Sequence, residues 1–349
     1  TTLSGEADNK VVDIPLHLPR FWLRRQDAGQ VLASVRGEQQ VRGRLIARTD
    51  WLARETANVF GLIPGRDPDL HREYVVVTAY YDSMSVVPQL APGAGQTAGT
   101  AALLQMAQVF QKNPPARSVV FLATSAHHQC LQGAREAIFD DTVYRVAAMV
   151  NPHVRSLYEL RRRRKELRDE HLQLQTQEPS PAQRAGMKRV QSEIVRVEQE
   201  LQRQQQAAVT EGYVRTLRPR MVLCLDISSG DDQVGIFHKA DLINQDDTNG
   251  LLKRRFAILS RRFEEYAEDI AREFPDLSGL FFDGVDPKRG RTAAELFAGR
   301  TALDSEVFII NGLYGVTLAT AYDARAFVDT PLDTIEQVGP KLFANGFRQ

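Results

Sequence analysis

Cysteine is almost missing: Cys130 and Cys224 are the only two in 349 residues, and they stand far apart. That excludes a zinc finger and a C-x-x-C redox pair, and both sit among apolar neighbours as buried small hydrophobes do. Net charge is missing too, since 44 basic residues offset 44 acidic ones. A balanced chain of pI near 7.0 offers no whole-domain attraction to nucleic acid or to an anionic membrane. No run of about 18 apolar residues occurs, so this segment holds no membrane span. The opening Thr1-Thr2-Leu3-Ser4-Gly5 has neither a basic nor an apolar signal region. The expectation is that a signal or anchor has been removed, or that the segment begins downstream of one. Pro92 to Gly99 is glycine-rich but has no G-K-[ST] and no G-x-G-x-x-G, which excludes a phosphate loop. Ser83 and Ser125 stand near strand ends without a G-x-S-x-G elbow, so no serine nucleophile is assigned.

What is present is a core. With 43% hydrophobic residues the chain can build one large α/β domain with an appendage, or two modest domains. Glu73 to Ala79 and Ser118 to Thr124 are continuous β-branched and apolar runs, as in strands buried on both faces. Thr97 to Lys112 between them reads as a helix, ended by Asn113-Pro114-Pro115. Met221 to Asp226 and Gly315 to Thr320 read as two further strands. This alternation predicts a mixed, mainly parallel central sheet flanked by helices. In the first 55 residues, Ile14 to Pro19 reads as extended, Asp27 to Val35 as a short helix and Gln40 to Ala47 as a strand.

Residues 155–212 break the rhythm with Arg, Glu, Gln and Leu. Met187, Val190, Ile194, Val197 and Leu201 keep a heptad seam, and Leu157, Leu160, Leu167 and Leu174 keep one phase before them. Glu178-Pro-Ser-Pro181 interrupts the two halves. The pattern predicts an antiparallel coiled-coil hairpin with arms of about 20 to 25 residues, roughly 30 to 38 Å long. A two-helix arm of this length buries a narrow stripe and rests on its own domain, a second copy or another protein. The basic run Arg161 to Lys165, with acidic residues close by, reads as a solvated helix face rather than a nucleic-acid contact.

Several stretches resemble, in order, the landmarks of the M28 family of zinc aminopeptidases. They are Thr56 to Gly65, Val75-Val-Val-Thr-Ala-Tyr-Tyr-Asp-Ser83, Pro92 to Leu104, Phe121-Leu-Ala-Thr-Ser-Ala-His-His-Gln-Cys-Leu-Gln-Gly133, Leu223-Cys-Leu-Asp226 and Val328-Asp-Thr-Pro-Leu-Asp-Thr334. The resemblance implies an M28-like domain over 55–154 and 213–349, with 155–212 inserted. Residues 1–54 form an N-terminal segment, and Leu16 to Arg48 faintly resembles the end of a protease-associated domain.

The resemblance also implies two zinc ions about 3.5 Å apart, bridged by a carboxylate. This chain departs from that ligand set. Tyr80 stands at the first histidine position, Gly95 (or Gln96) at the bridging aspartate, His127 and His128 at the paired glutamates, and Asp329 at the last histidine. Asp226 keeps its identity as a ligand and Asp82 its role of orienting one. Two cations without a shared anion repel, and a phenol of pKa about 10 is a poor zinc ligand. Tyr80, Asp82, Gly95, His127, His128, Asp226 and Asp329 therefore mark a former metal cleft, with no catalytic residue assigned and no cofactor expected. The competing reading is an active metallo-hydrolase with one zinc on His128, Asp226 and Asp329. For the histidine pair, the simplest structural expectation is a loop with one imidazole packed and one exposed. Asp304 and Tyr322 receive only a structural role.

The function expected is that of a degenerate peptidase-like scaffold. Its partner would be another protein, in a membrane-associated assembly or a second copy, met through 155–212. The family habit points to an extracytoplasmic place, with any anchor lying outside this segment.

Overall fold

The computed structural model describes residues 25–37, 44, 46, 55–83, 93–129, 131–139, 145, 148–149, 152–175, 180–210, 218–228, 233–238, 250–275, 279–284, 303–320 and 331–337. Cys130, Tyr322, Asp329, the extended segment at 14–19 and most of the strand expected at 40–47 lie outside them.

Strand β2 (Tyr74–Tyr80) and β3 (Ser118–Thr124) pair in parallel, joined through helix α2 (Ala98–Lys112). β4 (Val222–Asp226) lies on the other side of β2, and β7 (Gly315–Thr320) extends the parallel set. β1 (Val59–Ile63) closes one edge antiparallel to β3. At the other edge β5 (Val234–Phe237) runs antiparallel to β7, and β6 (Phe281–Asp283) pairs in parallel with β5. The result is a mixed, mainly parallel seven-stranded sheet of order β1-β3-β2-β4-β7-β5-β6, flanked by helices.

Alternation along the strands decides which residue meets which layer. Tyr74, Val76, Val120, Leu122, Val222 and Cys224 bury one face. That face packs on α3 (Gln132–Phe139) and α7 (Asp304–Ile310) through Ala134, Ala137 and Phe308. Val77, Ala79, Val119, Phe121 and Leu225 take the other face, against Leu103, Met106 and Phe110 of α2. Helix α6 (Gly250–Glu273) covers the same second face further along, setting Leu259, Phe263 and Ala267 on Ile236 and Val316. Both faces are covered, which is why β2 and β3 read as unbroken apolar runs.

Helices α4 (Pro152–Leu174) and α5 (Pro181–Thr210) carry the heptad residues. Leu167 is buried with Val190 and Ile194. A Cβ added at Gly186 would touch Leu174, while Ser156 bonds Gln204, so the contacts run in reversed order. Arg163–Glu193 and Arg168–Glu198 ion pairs flank the seam. The second helix has 30 residues, longer than the expected arm, and its start is fixed where Ser180 and Gln183 cap it reciprocally and Pro181 sits in its first turn. The start of α4 is not free of the domain: Val154 is fully buried in the same cluster as β2 and α7. Helix α1 (Arg25–Arg36) is two residues longer at its start than expected and one longer at its end. No described helix is long and apolar enough to cross a membrane.

Candidate functional site

β2 is the turning point of the topology. The chain passes from β2 to β3 on one side and then crosses back to β4 on the other. Beyond the C-terminal ends of such neighbouring strands an α/β sheet leaves a crevice. Tyr80 ends β2, Thr124 ends β3 and Asp226 ends β4, all at this crevice and all on the face toward α7 by strand alternation.

Tyr80 donates its hydroxyl hydrogen to Asp226 Oδ1 at 2.8 Å, closing the gap between β2 and β4. Its ring stacks on His127 with centroids 3.9 Å apart and planes 20° from parallel, and meets His128 edge-on at 5.9 Å. His127 and His128 are T-shaped at 5.0 Å. Both imidazoles are buried, 2% and 3% exposed, which corrects the expectation of one packed and one exposed ring. The physical reason lies in the turn: Ala126 adopts φ 51°, a left-handed conformation uncommon without glycine. It folds both rings back under Tyr80 instead of releasing one to solvent. Asp82 Oδ1 accepts from the His127 backbone N–H at 3.2 Å and so braces this turn.

His127 Nδ1 lies 2.8 Å from Asp304 Oδ1, and Thr124 Oγ1 donates to the other oxygen of the same carboxylate. Asp304 thus holds the His127 ring as well as starting α7. The other ring nitrogen, Nε2, makes no hydrogen bond among the described residues. At Gly95 the chain supplies no side chain, but a carboxylate arrives from elsewhere. Asp333, fully buried, accepts the Gly95 N–H through Oδ1 at 2.7 Å and the Ala94 N–H through its backbone oxygen. Gln96, the other candidate for the bridging position, is buried beside it.

Burial raises the Asp333 carboxyl above its ordinary value, offset in part by the Gly95 N–H. Burial does the same to Asp82, offset in part by the His127 N–H. A carboxyl raised in the folded state favours folding most in acid, and that contribution is lost as pH climbs through the raised value.

A dinuclear zinc pair is the group this fold resemblance implies, and the described donors do not suit it. The Tyr80 phenol keeps its proton in the bond to Asp226. Gly95 offers no bridge, and a Cβ there would already stand 3.0 Å from Asp333 Oδ1. His127, His128 and Asp226 do not bring their ligand atoms within 4.8 Å of one another. Asp329 lies outside the described residues.

Fold and crevice together define an α/β domain with a mixed, mainly parallel sheet and polar side chains gathered at its topological switch point. Residues 58–173 match the model of Peptidase family M28. Among curated proteins none matches the chain. Solved structures similar to it include the Legionella pneumophila LapA aminopeptidase, at TM-score 0.40 and 11% identity over 83% of this chain and 53% of that one. A second LapA structure gives TM-score 0.41 and 10% identity over 84% and 58%. Legionella pneumophila LapB gives 0.38 and 11% over 83% and 54%. The chain spans little more than half the length of these structures.

Proposed function

We propose that this chain is an M28 peptidase-like domain whose cleft has exchanged metal binding for an internal polar network, and that it acts as a binding component of a larger assembly. The carrying observation is Tyr80, whose hydroxyl is bonded to the remaining ligand-type carboxylate, Asp226, and whose ring stacks on His127. On this reading the helices α4 and α5 are the contact element for a protein partner or a second copy, on the extracytoplasmic side. Their solvent faces carry exposed Leu172 and Val195 among the charged residues.

Two experiments test this. Aminoacyl-nitroanilide hydrolysis should be at background, and bound zinc should be unaffected by His127→Ala or His128→Ala. Turnover that disappears with either substitution overturns the proposal. Replacing residues 156–211 by a short Gly/Ser linker should leave a folded domain that no longer assembles; unchanged assembly removes the helices as the contact.

One observation favours a second reading, a single-metal hydrolase. A buried imidazole held by a carboxylate at Nδ1, with Nε2 bare, is the arrangement of many metal-ligating histidines. Its ligand set would then start from His127 rather than His128. Zinc retained after dialysis and lost in His127→Ala is the result it requires.

A further inference from the structure

At the other end of the sheet, three metal-competent side chains converge that belong to no part of the cleft. His238 follows β5, Asp283 ends β6 and Glu264 lies in α6. Because β5 runs against β7, the end of β5 lies beside the start of β7, away from the ends of β2, β3 and β4. The register explains the convergence. Ile236 pairs with Asp283, so their side chains share a face, and His238, two residues on, points the same way. That face packs on α6, where Phe263 and Ala267 touch the Ile236 cluster and Ser260 meets the Tyr314 hydroxyl. Glu264, one turn past Ser260, is thereby aimed at His238.

His238 Nε2 lies 2.5 Å from Glu264 Oε1 and 3.5 Å from Asp283 Oδ1. The histidine side chain is 2% exposed and the two carboxylates are 33% and 24% exposed. Neither contact has hydrogen-bond directionality: both His238 ring nitrogens lack a hydrogen-bond partner among the described residues. A buried imidazole with both nitrogens unsatisfied is costly. The three residues can each offer a ligand atom, all within 4.8 Å of one another, and they are the only such group among the described residues.

We propose that His238, Glu264 and Asp283 form a site for a divalent transition cation that clamps α6 to the β5–β6 edge. One imidazole and two carboxylates suit a borderline ion such as Zn²⁺, with water completing a four-coordinate shell on the exposed side. Ligands at 2.0–2.1 Å in tetrahedral array stand about 3.4 Å apart, close to the His238–Asp283 separation, while Glu264 on its half-open helix face withdraws by about 1 Å. An ion there would give Nε2 and the two facing carboxylates one shared partner. The clamp is independent of whether the cleft is degenerate.

The test uses the full chain stripped with a chelator and titrated with Zn²⁺ by calorimetry. One equivalent should bind, its affinity should fall at least tenfold in the E264Q/D283N double variant, and H128A and Asp226→Asn should leave it intact. Binding equally tight in the double variant, or absent from the parent, overturns the site. A measurement free of substitutions stands beside it. X-ray absorption of the zinc-loaded parent should show one imidazole among oxygen ligands, and two or more imidazoles would place the ion elsewhere and refute the proposal.

Discussion

At position 80 a phenol stands where the M28 resemblance expects an imidazole, and its consequences reach three neighbours. Tyr80→Phe keeps the stack on His127 but removes the hydrogen bond to buried Asp226, at a cost of about 1–3 kcal/mol. Urea unfolding measures this, and a change under about 0.3 kcal/mol would mean that the bond is not made in solution. A second residue-scale outcome concerns Tyr314, whose pKa burial pushes up to about 12, partly opposed by its contact with Ser260 and reinforced by nearby Glu264. The unfolded tyrosine titrates near 10, so between the two values the folded chain holds a proton that the unfolded chain has lost. Its contribution is complete below pH of about 10 and falls away as pH rises toward 12. Urea midpoints across that window should decline, and Tyr314→Phe should flatten the decline. The strand-end residues of the cleft were legible through the family resemblance, whose landmarks are short contiguous stretches at the strand ends. Asp304 and Asp333 were not, since they reach His127 and Gly95 from 177 and 238 positions away, and no periodicity reports such a separation.

Elements differ in how much of themselves they write into the sequence. β2 and β3 are seven residues each and buried on both faces, so continuous apolar composition identifies them. β5 and β6 have four and three residues, too short to carry a pattern. α7 is buried nearly all round, which erases the polar face that would mark a surface helix. In α6 the four-residue spacing of Leu259, Phe263 and Ala267 is present, diluted by Arg261, Arg262, Glu264 and Glu265. Two predictions belong here. Gly99 lets the first turn of α2 approach β4 so closely that a Cβ would stand 2.7 Å from the Leu225 carbonyl oxygen. Gly99→Ala should therefore cost about 1–3 kcal/mol as the helix lifts from the sheet, visible as a lower thermal midpoint. Ser180→Ala should cost about 0.5–2 kcal/mol by removing the reciprocal cap of α5, with loss of helical circular dichroism from its first turn.

For the molecule as a whole, stability should be graded across the sheet. β2, β3, β4 and β7 are central and covered on both faces, while β1 and β6 each have one strand neighbour. Native-state hydrogen exchange should be slowest in the first group and faster at the two edges. Equal protection throughout would indicate that the sheet opens only as a unit. If zinc binds at the β5–β6 edge, β6 should move toward the slow group on its addition.

The reversal of β5 has a thermodynamic consequence. It separates the Tyr80–Asp226 network from the His238 cluster by the sheet's thickness as well as by about three residues of strand, roughly 10 Å at 3.3 Å per residue, and about two strand spacings. Groups that far apart contribute additively to stability, within about 0.5 kcal/mol. The Tyr80→Phe and Glu264→Gln free-energy changes should therefore sum in the double variant. One half of this chain is free to vary its chemistry without the other having to answer for it.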